Sequence, residues 1–90
     1  MKTIKIIISG TVQGVFFRRF VKDSADKLKV RGFVRNLDNG DLEIIAEGEN
    51  KNVDEFLNKC KKGPPHSDVK NLTITKMNHQ GFDSFKILTF

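Results

Sequence analysis

One stretch near the start of the chain joins an apolar strand to a helix and decides the fold: Ile8-Ser9-Gly10-Thr11-Val12-Gln13-Gly14-Val15-Phe16-Phe17-Arg18-Arg19-Phe20. A turn that leads from a strand into a helix gathers free backbone N–H groups, and the helix dipole adds partial positive charge. Arginine contributes a permanently charged fork that matches two oxygens of a phosphate or a carboxylate. The stretch therefore predicts an anion site, with phosphate as the favoured anion.

The composition predicts one basic domain that spans residues 1–90. Ninety residues are too few for two independent cores, whereas 38% hydrophobic residues and eight phenylalanines are enough for one. The net charge of +5 favours anionic partners in general, and does not distinguish phosphates from nucleic acid or a membrane surface.

The cysteine count and the N-terminus bear on the compartment. Cys60 is the only cysteine, so an intramolecular disulfide is impossible and a reducing compartment is favoured. The apolar run at residues 4–8 is too short to span a membrane and lacks the features of a signal peptide. We therefore expect a cytoplasmic protein that has no membrane partner, and as a separate expectation we take it to be a monomer.

The first half of the chain predicts a strand, a helix and a hairpin. Alternating isoleucines indicate a strand over residues 4–8, and apolar residues at helical spacing follow from about Phe17 to Leu28. Residues 32–36 indicate a second strand, and Asn39-Gly40 is a strong hairpin signal. A third strand follows over residues 42–48, in which Glu43 and Glu47 alternate with the apolar side chains.

The second half predicts another helix and two more strands. The helix begins near Asn50 or Asn52, either of which can cap it, and Asn52 with Glu55 has the spacing of a capping box. Gly63-Pro64-Pro65 ends this helix, and strands follow over residues 69–77 and 85–90. The order βαββαβ with a short extra strand predicts an α+β, ferredoxin-like α/β sandwich: a mostly antiparallel sheet with two helices on one face.

The sequence lacks the residue patterns of metal sites and of nucleophilic catalysis. His66 and His79 are far apart and isolated, and Cys60 lies on the apolar stripe of the second helix, where packing is the favoured role. An enzyme built from this chain would have to work without a metal, without a covalent intermediate and without a general base. An acyl phosphate suits such a site, because its leaving group is good and positioning with charge neutralisation does most of the work.

The opening stretch resembles the acylphosphatase signature, G-x-V-Q-G-V-x-F-R preceded by an aliphatic residue, and every specified position is filled. Residues 32–36, followed by Gly40, resemble the second signature of that family, and Gly63-Pro64-Pro65 resembles its G-P-P. The resemblance covers essentially the whole chain. It implies a ferredoxin-like fold and the metal-independent, cofactor-independent hydrolysis of an acyl phosphate to a carboxylate and inorganic phosphate.

The resemblance also implies a role for individual residues. Arg18 is the match for the arginine that clamps the phosphate, and Asn36 for the asparagine that orients the attacking water. The backbone amides around the phosphate correspond to those of Gln13, Gly14, Val15 and Phe16. The resemblance also raises the possibility that the C-terminal carboxylate of Phe90 lies near Arg18.

Simpler roles exist for the same residues. Asparagine is a common turn former, and Arg19 as well as Arg18 could belong to a solvated helix face. The phenylalanines at positions 16, 17 and 20 are interpreted as core residues rather than as a stacking platform.

Two other classes of protein compete with an enzyme that acts on a small-molecule acyl phosphate. A small basic RNA-binding domain could share this order of elements, but its aromatic motif would lie on the third strand, which has no aromatic residue here. We therefore expect no nucleic-acid partner. A phosphate-sensing module without activity could also keep the loop, and the presence of both Arg18 and Asn36 argues against it.

Overall fold

The computed structural model describes residues 1–12 and 14–89. The elements follow in the order β1 (Lys2–Thr11), α1 (Val15–Lys27), β2 (Arg31–Asn36), β3 (Leu42–Gly48), α2 (Asn50–Lys62), β4 (Asp68–Met77) and β5 (Phe85–Leu88). The strands form one sheet in the order β4-β1-β3-β2-β5. All neighbours are antiparallel except β2 and β5, which are parallel. The ferredoxin-like α+β fold predicted from the sequence is confirmed.

The core lies between the sheet and the two helices. β-Branched residues at every second position of β1 place Ile4, Ile6 and Ile8 on one face of the sheet, where all three are buried. The apolar stripes of α1 and α2 pack against this face, with Phe17 and Phe56 as their largest buried side chains. Neither helix in the described part of the chain is long and apolar enough to cross a membrane.

The start of α2 differs from the prediction. The helix begins at Asn50, as expected, but the N-cap residue is Glu49, and no side-chain hydrogen bond caps the helix within the described residues. The capping roles predicted for Asn50 and Asn52 are therefore wrong. Both residues lie inside the first turn, where their side chains cannot act as the N-cap.

Glu47 alternates with the apolar side chains of β3, as predicted, and therefore lies on the face of the sheet opposite the helices. Its side chain is fully buried because the segment between β4 and β5 folds over that face. The carboxylate accepts hydrogen bonds from the backbone N–H groups of Gln80, Gly81 and Phe82 and from the hydroxyl group of Thr3. The ring of Phe82 packs edge-on against Phe33, 6.0 Å between centroids, and this contact holds the same segment on the sheet.

Candidate active site

Three strands end at the same edge of the sheet and gather the predicted site residues there. β1 and β2 are both antiparallel to β3, and β5 is parallel to β2, so β1, β2 and β5 all run in one direction. Their last residues are Thr11, Asn36 and Leu88. Since α1 begins shortly after β1, its first turn belongs to this edge as well.

Gly10 shapes the exit from β1. The pairing of β1 with β4 shifts register between Ser9 and Gly10. Gly10 has a φ of +128°, a backbone conformation that residues other than glycine rarely adopt. A Cβ atom at this position would lie 2.1 Å from the carbonyl oxygen of Asp68. The close approach of the two backbones at the start of the loop therefore requires glycine.

The first turn of α1 is open to an anion. Its N-cap residue is Gly14, with a φ of 103°, so the cap position carries no side chain that could accept a hydrogen bond. The first turn holds no acidic residue. The N–H groups of Val15 and Phe16 lie in this turn, where the helix dipole favours negative charge. Gln13, the other residue predicted for the loop, lies outside the described residues.

Arg18 lies one turn into α1, and its side chain is directed back towards the start of the helix. Its Nε atom donates a hydrogen bond to the carbonyl oxygen of Gly14, at 3.5 Å. The half-buried Arg18 also lines an open depression between the start of α1 and the end of β5, where Ile87 and Thr89 lie. The hypothesis that the C-terminal carboxylate lies near Arg18 concerns Phe90, which lies outside the described residues.

Asn36 is the last residue of β2, as the sequence predicted. Its side-chain oxygen, Oδ1, is buried and has no hydrogen-bond partner within the described residues. A buried acceptor without a partner is costly, and such groups mark strained or functional positions. The preceding residue, Arg35, forms an ion pair with Glu43 on β3, Nε to Oε1 at 2.6 Å, which fixes the end of β2 against its neighbour.

The three phenylalanines at the start of α1 differ in burial. Phe17 is buried, as predicted, and Phe20 is half-buried with its ring edge-on to that of Phe17. Phe16 is 85% exposed, so its assignment to the core is wrong. The reason is helical geometry: Phe16 precedes Phe17 by about 100° around the helix axis and is turned away from the sheet.

Comparison with known proteins agrees with the resemblance of the sequence motifs to the acylphosphatase signatures. A family model described as Acylphosphatase matches residues 4–87. An acylphosphatase of Thermotoga petrophila is 41% identical over 87 residues, which cover 97% of each chain. The crystal structure of acylphosphatase from Bacillus subtilis has a TM-score of 0.95 and 40% identity, over 99% of this chain and 100% of that one. This chain belongs to the acylphosphatase family.

Family membership supports a hydrolase activity of the acylphosphatase type, with a small-molecule acyl phosphate as substrate. It does not favour the RNA-binding or phosphate-sensing alternatives. An acylphosphatase of Syntrophotalea carbinolica, 44% identical over 93% of this chain and 92% of its own length, adds to this support.

The other reactive side chains of this chain are spread over the molecule: His66 lines a surface depression with Thr11 and Phe16 near the start of α1, whereas Cys60 lies in the core and His79 at the opposite end of the sheet. Cys60 is buried in α2 as predicted, and burial raises the pKa of its thiol to about 12. His79 follows β4, at the opposite end of the sheet, and its Nδ1 atom lies 3.3 Å from Oε2 of Glu47. Among the described residues, no three histidine, cysteine, aspartate or glutamate side chains form a group that could hold a metal ion.

The sequence did not reveal the partners of Glu47. Its partners Gln80 and Gly81 lie more than thirty residues away along the chain, in a segment whose sequence, Asn78-His79-Gln80-Gly81, indicates only a turn. The one available signal was an acidic residue near the end of a strand in which Glu43 is the only other charged residue.

Proposed function

We propose that this chain hydrolyses acyl phosphates through Arg18, Asn36 and the first turn of α1. One observation carries the proposal: the buried Oδ1 atom of Asn36 lacks a partner within the described residues, at the sheet edge shared with the uncapped start of α1. An acceptor for water and a cradle for phosphate are the two elements that this reaction needs.

The phosphoryl group is held by charge and by backbone amides. The guanidinium group of Arg18 binds two phosphoryl oxygens, and the N–H groups of Gly14, Val15 and Phe16 bind the others. In our proposal Gln13 contributes its amide to the same cradle. These donors stabilise the charge that the phosphoryl oxygens carry in the transition state, and their fixed positions avoid reorganisation during the reaction.

Asn36 orients the water molecule that attacks phosphorus. Its side-chain amide, which offers both a donor and an acceptor, hydrogen-bonds to the water and turns a lone pair of the water oxygen towards the phosphorus atom. A new P–O bond forms as the bond between phosphorus and the acyl oxygen breaks. The acyl oxygen leaves with the bonding electrons as a carboxylate, and the proton lost by the water passes to solvent. Because a carboxylic acid has a pKa of about 4, its carboxylate is a stable leaving group at neutral pH and departs without being protonated.

The remaining features of the proposal concern partners and location. The enzyme uses no metal or cofactor, and inorganic phosphate, which carries the same oxygens as the substrate, competes for the cradle as product. We further propose a monomeric single domain over residues 1–90 that binds neither nucleic acid nor membrane. The lone, buried Cys60 is consistent with the reducing cytoplasm.

The proposal is tested by following the release of phosphate from benzoyl phosphate in the presence and absence of EDTA. We expect turnover well above spontaneous hydrolysis, unchanged by EDTA and competitively inhibited by inorganic phosphate. p-Nitrophenyl phosphate, a monoester with a poorer leaving group, serves as the matched control and should not turn over. Release of phosphate from benzoyl phosphate at only the spontaneous rate would overturn the proposal.

A further inference from the structure

Two large apolar side chains are exposed side by side at the start of α1. Phe16 is 85% exposed and Val15 is 63% exposed, although most other large apolar side chains of the described residues are buried or half-buried. Single exposed apolar residues are normal, but an adjacent pair that borders a depression forms a small apolar surface on which a ligand can pack.

The exposed pair forms part of the depression that Arg18 and Arg19 line. This depression has a volume of about 420 Å³, and Ile87 and Thr89 at the end of β5 form its opposite side. A volume of this size accommodates a small organic group. Since Arg18 borders both this depression and the first turn of α1, a ligand whose phosphate contacts Arg18 extends its other end over the apolar residues.

We propose that this depression is the subsite for the acyl group and that Phe16 determines specificity by packing against it. The subsite favours aromatic or branched aliphatic acyl groups over small polar ones such as the carbamoyl group. The inference rests on the proposed function, because the orientation of the substrate follows from the phosphate contact of Arg18. Phe16 then has two separate roles: its backbone N–H binds phosphate, and its side chain selects the acyl group.

Phe16 is suited to this role by its position. The ring is exposed in the absence of substrate, so a flat acyl group that packs on it removes apolar surface of both partners from water. An acetyl or carbamoyl group covers much less of the ring. We expect the preference for a benzoyl over an acetyl group to be about tenfold, the range that one apolar contact surface supplies.

The experiment compares kcat/KM for benzoyl phosphate and acetyl phosphate in the wild type and in Phe16→Ala. The two compounds differ in intrinsic reactivity, but this difference cancels when their ratio is compared between variants. We expect the ratio to fall about tenfold in Phe16→Ala and to recover largely in Phe16→Leu, which restores apolar area. Ile74→Ala is the control, since Ile74 is also an exposed apolar residue but lies on β4, outside the depression.

The inhibition constant of inorganic phosphate separates the two roles of Phe16. An unchanged ratio in Phe16→Ala would overturn the inference. So would a loss of phosphate affinity as large as the loss for both substrates, because Phe16 would then act only through the cradle. The proposed function fails in a different way: the wild type would hydrolyse neither compound.

Discussion

Asn36 and Ile8 pair with the same residue, Leu42, from opposite sides of β3. Because neighbouring strands lie about 4.8 Å apart, the backbones of Asn36 and Ile8 are separated by about 10 Å. Gly10 begins the exit of the chain towards α1 two residues after Ile8. The sheet register thus fixes the separation between the residue proposed to orient water and the strand from which the phosphate cradle continues.

The first prediction concerns the arginine pair at the start of α1. Arg18→Ala should lower kcat/KM for benzoyl phosphate by about 10²- to 10³-fold, because it removes a charged donor to the transition state. Arg18→Lys should retain only a small part of the wild-type kcat/KM, since an ammonium group cannot bind two oxygens as a planar fork. Steady-state kinetics with each purified variant provides the measurement.

Arg19→Ala is the matched control for this prediction. Arg19 is exposed and adjacent in sequence, and it also lines the depression beside Phe16, but it leaves the helix about 100° around the axis from Arg18. The loss of kcat/KM in Arg19→Ala should be much smaller than the loss in Arg18→Ala. Equal losses for the two variants would show that only the net charge of the region matters.

The second prediction concerns Gly10. An alanine Cβ at this position would meet the carbonyl oxygen of Asp68 at 2.1 Å, so the backbones of β1 and β4 must move apart. We expect Gly10→Ala to lower the free energy of unfolding by about 2–4 kcal/mol, measured by urea denaturation.

Gly14→Ala isolates the effect of that close contact. Gly14 also has a positive φ, but among the described residues no atom other than those of its chain neighbours lies within 4 Å of the position where its Cβ would be. Gly14→Ala should therefore lower the free energy of unfolding only through backbone strain, by about 1–2 kcal/mol. If Gly14→Ala destabilises the protein as much as Gly10→Ala does, the contact with Asp68 is not the cause.

The third prediction concerns the pH dependence of stability. Burial acts to raise the pKa of Glu47, but the hydrogen bonds from Gln80, Thr3, Phe82 and Gly81 outweigh it and lower the pKa from its usual 4.5 to about 2. A carboxyl group whose pKa is lower in the folded state contributes stability above pH 4.5. That contribution is lost as the pH falls towards about 2.

Glu47→Gln should therefore lower the free energy of unfolding at pH 7 by about 1–3 kcal/mol and flatten its decline between pH 4.5 and pH 2. Chemical denaturation at a series of pH values provides the measurement. Glu49→Gln serves as the control, because Glu49 is exposed. A decline in Glu47→Gln as steep as in the wild type would contradict the assignment.

The sequence predicted most of the fold because its local signals agree with one another. The alternating isoleucines of β1, the Asn39-Gly40 hairpin and the Gly63-Pro64-Pro65 end of α2 each depend on neighbouring residues alone. The burial of Glu47 could not be predicted, because it depends on a segment that joins β4 to β5 far along the chain.

The site was predicted in part. The signature selected Arg18 and Asn36 as candidates, and the sheet register brings the ends of β1 and β2 to one edge, with β3 between them. The exposure of Phe16 was missed because an apolar side chain beside Phe17 looks like a core residue until the helix orientation is known. The roles assigned to Arg18, Asn36 and the loop stay predictions until variants are measured.

The most direct test of the account measures kcat and the inhibition constant of inorganic phosphate for Asn36→Ala. Arg18 and the cradle hold phosphate in our account, whereas Asn36 only orients water. We therefore predict that kcat falls about 100-fold or more while the inhibition constant changes by less than about threefold and the fold is retained. A variant that keeps most of the wild-type kcat, or that loses phosphate affinity as strongly as activity, would contradict the account.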